Sequence, residues 1–254
     1  MASIVSENAE ELDLRSKDIP WLRIVSEGGV IVASILLAFA LDAWWDNRSR
    51  LAELRSQLEA VTSELRSARQ ALQRTLDVHD LNARLAGRLT SALGAVAEGS
   101  AVVVSDSLLG PLLPQATADV STGSLDAFIG AGGLEVVDDL DVRRALIDWP
   151  TRIQDLQDDE IYLRNFAAAD LAAYLRAHAD VANAEKHSAP LLRSLFGVAP
   201  PVDPDLLGTV TIRRDRQLMN LLAARESGER GIRPGLVEMV DQADRIIAAL
   251  EDFK

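Results

Sequence analysis

The chain has no cysteine, which removes disulfides, thiolate catalysis and cysteine-type zinc sites at once. Aromatic residues fill only 4% of its 254 positions; alanine and leucine take their place, which favours helix packing over sheets. Positive charge is also scarce: 26 Lys and Arg stand against 39 Asp and Glu, a net charge of -13. Such a surface repels a phosphate backbone and excludes nucleic acid as a direct partner. The sequence lacks a Gly-rich phosphate loop, a G-x-S-x-G elbow and an H-E-x-x-H zinc motif, so no motif implies a cofactor or a metal. Between Val30 and Arg84 there is neither proline nor glycine, and nothing there obliges a helix to stop.

What is present begins with an apolar run. From Gly28 to Leu41 no residue is charged, and from Ile24 to Trp45 only Glu27 and Asp42 are. A helix over the wider stretch rises roughly 33 Å, enough to cross a hydrocarbon core of about 30 Å. A buried core helix and a cleaved signal peptide compete with that reading, the latter because Ala38-Phe39-Ala40 has a small-x-small form. The acidic stretch ahead of the run, with Glu7, Glu10, Glu11, Asp13 and Asp18, argues against a signal peptide. An anchor fits best: Gly29, Ala33, Leu37 and Ala40 lie along the span, Trp44 and Trp45 sit at its interface, and Arg48 and Arg50 follow,. Arg15, Lys17 and Arg23 before the run balance Arg48, Arg50 and Arg55 after it. The positive-inside rule is tied, and the expectation of an exported soluble unit rests on the short tail and large acidic remainder.

Apolar positions at Val30, Ala33, Leu37, Ala40 and Trp44 continue at Leu51, Leu54, Leu58, Val61, Leu65, Ala68 and Leu72, alternating three and four. That spacing is a heptad seam, interrupted by Asn47, and predicts one helix from about 24 to 97. The small-x-x-x-small pairs Gly29/Ala33 and Ser34/Ala38, together with the seam, are consistent with a homodimer through this first helix. Ala101–Val104 is short and apolar enough for a small strand, Leu108 for a helical turn. Ser121 or Thr122 can cap a short helix through Ile129, closed by Gly130, Gly132 and Gly133. A further helix begins near Asp138 or Asp139 and carries a second seam at Leu146, Trp149, Ile153, Leu156, Glu160, Leu163, Ala167, Leu171, Tyr174, His178 and Val181, bent at Pro150,. Pro190, Pro200, Pro201 and Pro204 predict a long exposed connection. Two closing helices are expected, about Ile212–Glu226 and Pro234–Phe253, joined at Gly228 and Gly231.

The fold class read from these elements is all-α: an N-terminal transmembrane helix continuous with a long helix of an antiparallel four-helix-like bundle. Residues 1–23 form a tail, 24–45 the span, and 46–254 the soluble bundle.

The segment EGGVIVASILLAFALDAWWD, Glu27 to Asp46, resembles the start of a widespread family of uncharacterised bacterial single-pass membrane proteins, with Glu27, Ala38, Asp42, Trp44 and Asp46 matching and Ser34 where glycine is usual. A second segment, Thr122 to Leu146, is similar through Leu125, Gly132 or Gly133, Leu134, Leu140, Arg143 and Leu146. The resemblance implies an inner-membrane anchor and a helical soluble domain; it implies no reaction.

The candidate ligand-binding set is Glu160, Asp170, Tyr174 and His178, ionisable or polar groups on or beside a seam that should face the bundle interior. Asp170 and His178 lie about two turns apart, roughly 12 Å, too far to grip one metal ion. Glu185 and His187 are expected in a loop. The functional expectation is a membrane-tethered, non-enzymatic interaction or sensing module, with the lipid bilayer as its partner. The alternative is a ligand-binding or hydrolytic domain built on Glu160 and His178.

Overall fold

The computed structural model describes residues 21–195 and 202–251. The expected tail over 1–23 falls almost wholly outside them, as do Pro200, Pro201 and Phe253. The chain divides into two compact units, one ending at Glu53 and the other running from Leu54 onward.

Helix α1 runs from Trp21 to Gly94 without a break, close to the 24–97 expected from the uninterrupted seam. In the first unit every described side chain from Glu27 to Glu53 is exposed. The apolar run lies in the only helix among the described residues that is long and apolar enough to cross a membrane, and none of its most apolar window is buried.

The second unit is built around three long helices: α1 from Leu54, α4 (Leu140–Asn165) and α7 (Arg216–Glu251). Short elements α2 (Asp106–Leu109), α3 (Gly123–Gly130), α5 (Ala172–His178) and α6 (Ala182–Leu195) fill the space around them. Two apolar clusters form the core. The first joins Leu54, Val61, Leu65, Ala68 and Leu72 of α1 to Trp149 and Ile153 of α4 and to Leu236, Ala243 and Leu250 of α7, with Phe128 of α3. The second joins Leu89 and Leu93 of α1 to Leu171, Leu175, Leu218 and Leu222 and to the strands. From Leu54 on, the first-helix seam is therefore covered by the chain itself.

Strand β1 (Ala101–Ser105) pairs antiparallel with β2 (Thr209–Arg213). Val104, Val210 and Ile212 point into the core, a period of two,. Ile212, expected to open a helix, is thus a strand residue. The two closing helices are in fact one. Gly228 does not end it because the residue is needed for packing: a Cβ there would lie 2.4 Å from Leu163 Cδ2. Pro234 sits inside the same helix. The apolar face at Leu222, Ile232, Leu236 and Val240 buries on both sides of these residues, and that burial outweighs their poor helix propensity,. Pro190 likewise falls inside α6 rather than in an exposed connection.

Pro150 lies inside α4 as expected, and Asp139 caps that helix by accepting from Asp141 N at 2.8 Å and Val142 N at 3.2 Å. A π-helical segment, Phe166–Leu171, lies across the second seam, but Leu163, Ala167, Leu171 and Tyr174 are buried as the spacing predicts. Its extra residue widens the buried face to Ala172 and Leu175,, and of the expected seam positions beyond it His178 is exposed.

Candidate functional site

The structure separates the residues that the second seam brought together. Glu160 is wholly buried and Tyr174 nearly so, whereas Asp170 and His178 are exposed. Eighteen residues of helix between Glu160 and His178 correspond to about 27 Å of axial rise, so the two share no site.

Tyr174 and His178 do meet. Their rings stack with centroids 4.1 Å apart and planes 14° from parallel, and His178 Nδ1 lies 2.8 Å from the carbonyl oxygen of Tyr174. The Tyr174 hydroxyl donates to Asp215 Oδ2. Asp215 also caps α7, accepting from Leu218 N at 2.8 Å. Burial, then the bond to Asp215, pushes the Tyr174 hydroxyl above its ordinary range. Burial works to raise Asp215 as well, but the Tyr174 hydroxyl and the backbone N–H groups of Leu218 and Gln217 outweigh it and hold the carboxyl low,. An open cleft of about 680 Å³ runs past these residues, bordered by Glu98, Arg216 and Asn220. No pattern in the sequence marks Asp215, because its pairing is a contact between distant segments.

Glu160 belongs to a second arrangement, buried between helices. His79 Nδ1 is hydrogen-bonded to Glu229 Oε2, and Gln115 Nε2 lies 3.3 Å from the same ring nitrogen. Arg225 Nη2 lies 3.0 Å from Glu229 Oε1 and donates to Pro114 O at 3.0 Å. Asn82, with its amide turned to suit both neighbours, donates to Pro111 O at 3.1 Å and accepts from Arg225 Nη2 at 3.2 Å. Glu160 Oε2 accepts from Ala118 N at 2.8 Å. Desolvation raises the Glu160 carboxyl above its ordinary range, against the lowering effects of that N–H and of His79 and Arg164. Desolvation also lowers Arg225, opposed by Glu229.

The chemistry of this network is structural. The connection between α2 and α3 is partly buried at Leu112, Leu113 and Ala118, and a buried connection carries backbone groups that need partners. Asn82, Arg225 and Glu160 supply them from α1, α7 and α4. Three residues of the network continue the apolar spacing in sequence: His79 falls one heptad after Leu72, and Arg225 and Glu229 fall three and seven residues after Leu222. Their polarity disguised them as breaks in the seam.

Glu185 and His187 lie on α6, not in a loop: Glu185 pairs with Arg176 at 2.6 Å and His187 is buried. Among the described residues no three His, Asp or Glu side chains are placed to hold one metal ion. Gly29, Ala33, Leu37, Ala40, Trp44 and Trp45 all lie on the exposed part of α1, and the Arg48 guanidinium sits 5.6 Å from the centre of the Trp44 ring. Comparison with family models, curated proteins and solved structures finds no match to this chain.

Proposed function

We propose that this chain is a single-pass, membrane-anchored helical-bundle protein of the bacterial inner membrane that acts as a non-enzymatic interaction or sensing module. The observation that carries the reading is the exposure of Val30, Ile31, Leu36, Leu37, Phe39, Leu41, Trp44 and Trp45, each between 55% and 66%. Burying a large apolar side chain is worth about 1.5–3 kcal/mol, so a contiguous exposed set of this size calls for lipid or a partner. Two details support lipid. Ser34 Oγ donates to Val30 O at 2.7 Å, satisfying the hydroxyl within the helix as a bilayer requires. Arg48 stacked on Trp44 suits the headgroup region. The resemblance of Glu27–Asp46 to a family of bacterial membrane proteins points the same way.

A homodimer belongs to this proposal only through the exposed part of α1, at Gly29, Ala33 and Leu37, because Val61 and Leu65 are buried within the chain. Membrane fractionation with an alkaline wash tests the anchor. Retention of the full chain in the washed pellet is expected; release into the supernatant overturns the reading. Protease cleavage of the folded unit in right-side-out vesicles, with protection in inverted ones, is expected for the exported orientation; accessibility only in inverted vesicles would reverse it.

A further inference from the structure

Among the described residues, the two-stranded sheet has an edge on β2 with no backbone partner. Asp106 N donates to Gly208 O at 3.0 Å and Arg214 N to Ser100 O at 2.9 Å, which fixes the even-numbered residues as the mutually bonded pairs of the antiparallel ladder,. Thr209 and Thr211 of β2 therefore direct their N–H and C=O groups away from β1. Among the described residues no other group bonds to them. The strand reads TVTIR and carries, over its first four residues, none of the prolines, charges or bulges that blunt a free edge.

An open cleft of about 600 Å³ is lined by Gly208–Thr211 together with Asp180, Asn183 and Lys186 around the start of α6. Asp106 lines the same cleft and is only 1% exposed. Its Oδ2 accepts from Gly208 N at 2.8 Å and from Asn183 Nδ2, while Oδ1 has no partner. A buried carboxylate oxygen without a donor carries a desolvation cost that a donor from a ligand would remove. Asp106 and Asp180 outnumber Lys186, so the cleft favours a cationic donor.

We propose that β2 and this cleft accept an extended peptide by strand addition, the peptide backbone pairing with Thr209 and Thr211 and a Lys or Arg side chain of the peptide pairing with Asp106 or Asp180. Main-chain bonds would supply affinity, and the acidic pair would select charge. The inference names a partner class for the interaction module and rests on that reading for its role, but the two fail separately. A chain released from membranes that still binds peptide would sink the anchor alone; a membrane-bound chain that ignores peptide would sink the groove alone.

The test uses the full chain in detergent micelles and a fluorescein-labelled hexapeptide of alternating threonine and valine with one central lysine, read by fluorescence anisotropy. Saturable binding is expected, weakened at least tenfold when alternate peptide amides are N-methylated, when the lysine is replaced by glutamate, and in Thr211→Pro. Thr211→Pro removes only an outward N–H and spares the ladder with β1. Val103→Pro, on the outward-facing edge of β1, should bind as the wild type does. No saturable signal up to millimolar protein overturns the proposal, as does undiminished binding of the N-methylated peptide. Equal loss in Val103→Pro would place the peptide on β1 and overturn the assignment to β2. Should Thr211→Pro fail to fold, the N-methylated peptide decides on the wild-type chain.

Discussion

Glu64 on α1 accepts the backbone N–H of Ser124 at 2.9 Å and that of Leu125 at 3.2 Å, so α3 is capped by a carboxylate from another helix. Thr122 occupies the N-cap position but makes no side-chain capping bond to the helix backbone. Glu64→Ala should therefore cost about 1–2 kcal/mol of stability, the range for a lost cap, whereas Thr122→Ala should cost less. Urea unfolding of both variants measures the difference; equal losses would mean Glu64 caps nothing in solution.

The buried set on α1 and α7 should behave as a unit. Glu229→Leu leaves Arg225 buried without its charge partner and is expected to destabilise by about 3–5 kcal/mol. Replacing His79, Arg225 and Glu229 together by leucine or methionine should lose less than that single change, although Pro114 O then loses its donor. A triple variant weaker than the single one would show that the network contributes more than its mutual compensation.

Glu160 sets a pH dependence. Its folded carboxyl is raised above its ordinary 4.5, so the stability it lends is fully present below the unfolded value and is lost as pH rises through the folded one. Glu160→Gln keeps an oxygen for Ala118 N and removes the titration. Thermal melts from pH 4 to 8 should show a decline in the wild type relative to the variant as pH rises; parallel curves would refute the assignment.

Two glycines three residues apart on α7 should respond in opposite directions. Gly228→Ala pushes a Cβ into Leu163 and should cost about 1–3 kcal/mol,. Gly231 has nothing within 4 Å of the corresponding position, and Gly231→Ala should gain about 0.5–1 kcal/mol from helix propensity. Denaturant midpoints of the pair test this directly.

Much of the fold was legible because its long helices obey one rule, apolar residues at alternating spacings of three and four. Leu54 to Leu72 and Leu146 to Leu163 follow it, and their burial matches. The rule failed where another interaction won. Val210 and Ile212 alternate with period two, but five residues between prolines and a helix give little pattern to recognise. Gly228 reads as punctuation until Leu163 is seen beside it. Phe166–Leu171 carries no compositional mark of a π segment; its alanines suit either helix. For the candidate site, Glu160 was visible as a charge on a seam. Its bonded partner, the Ala118 backbone N–H, lies on another segment, which periodicity along one helix does not reveal.

The first buried side chain of the described chain is that of Leu54. A proteolytic cut between Asn47 and Glu53 would thus sever the apolar run while sacrificing no core residue, and the shed fragment would keep both clusters of its interior. With the run in a bilayer, as proposed above, a single nick would therefore release a fully folded product.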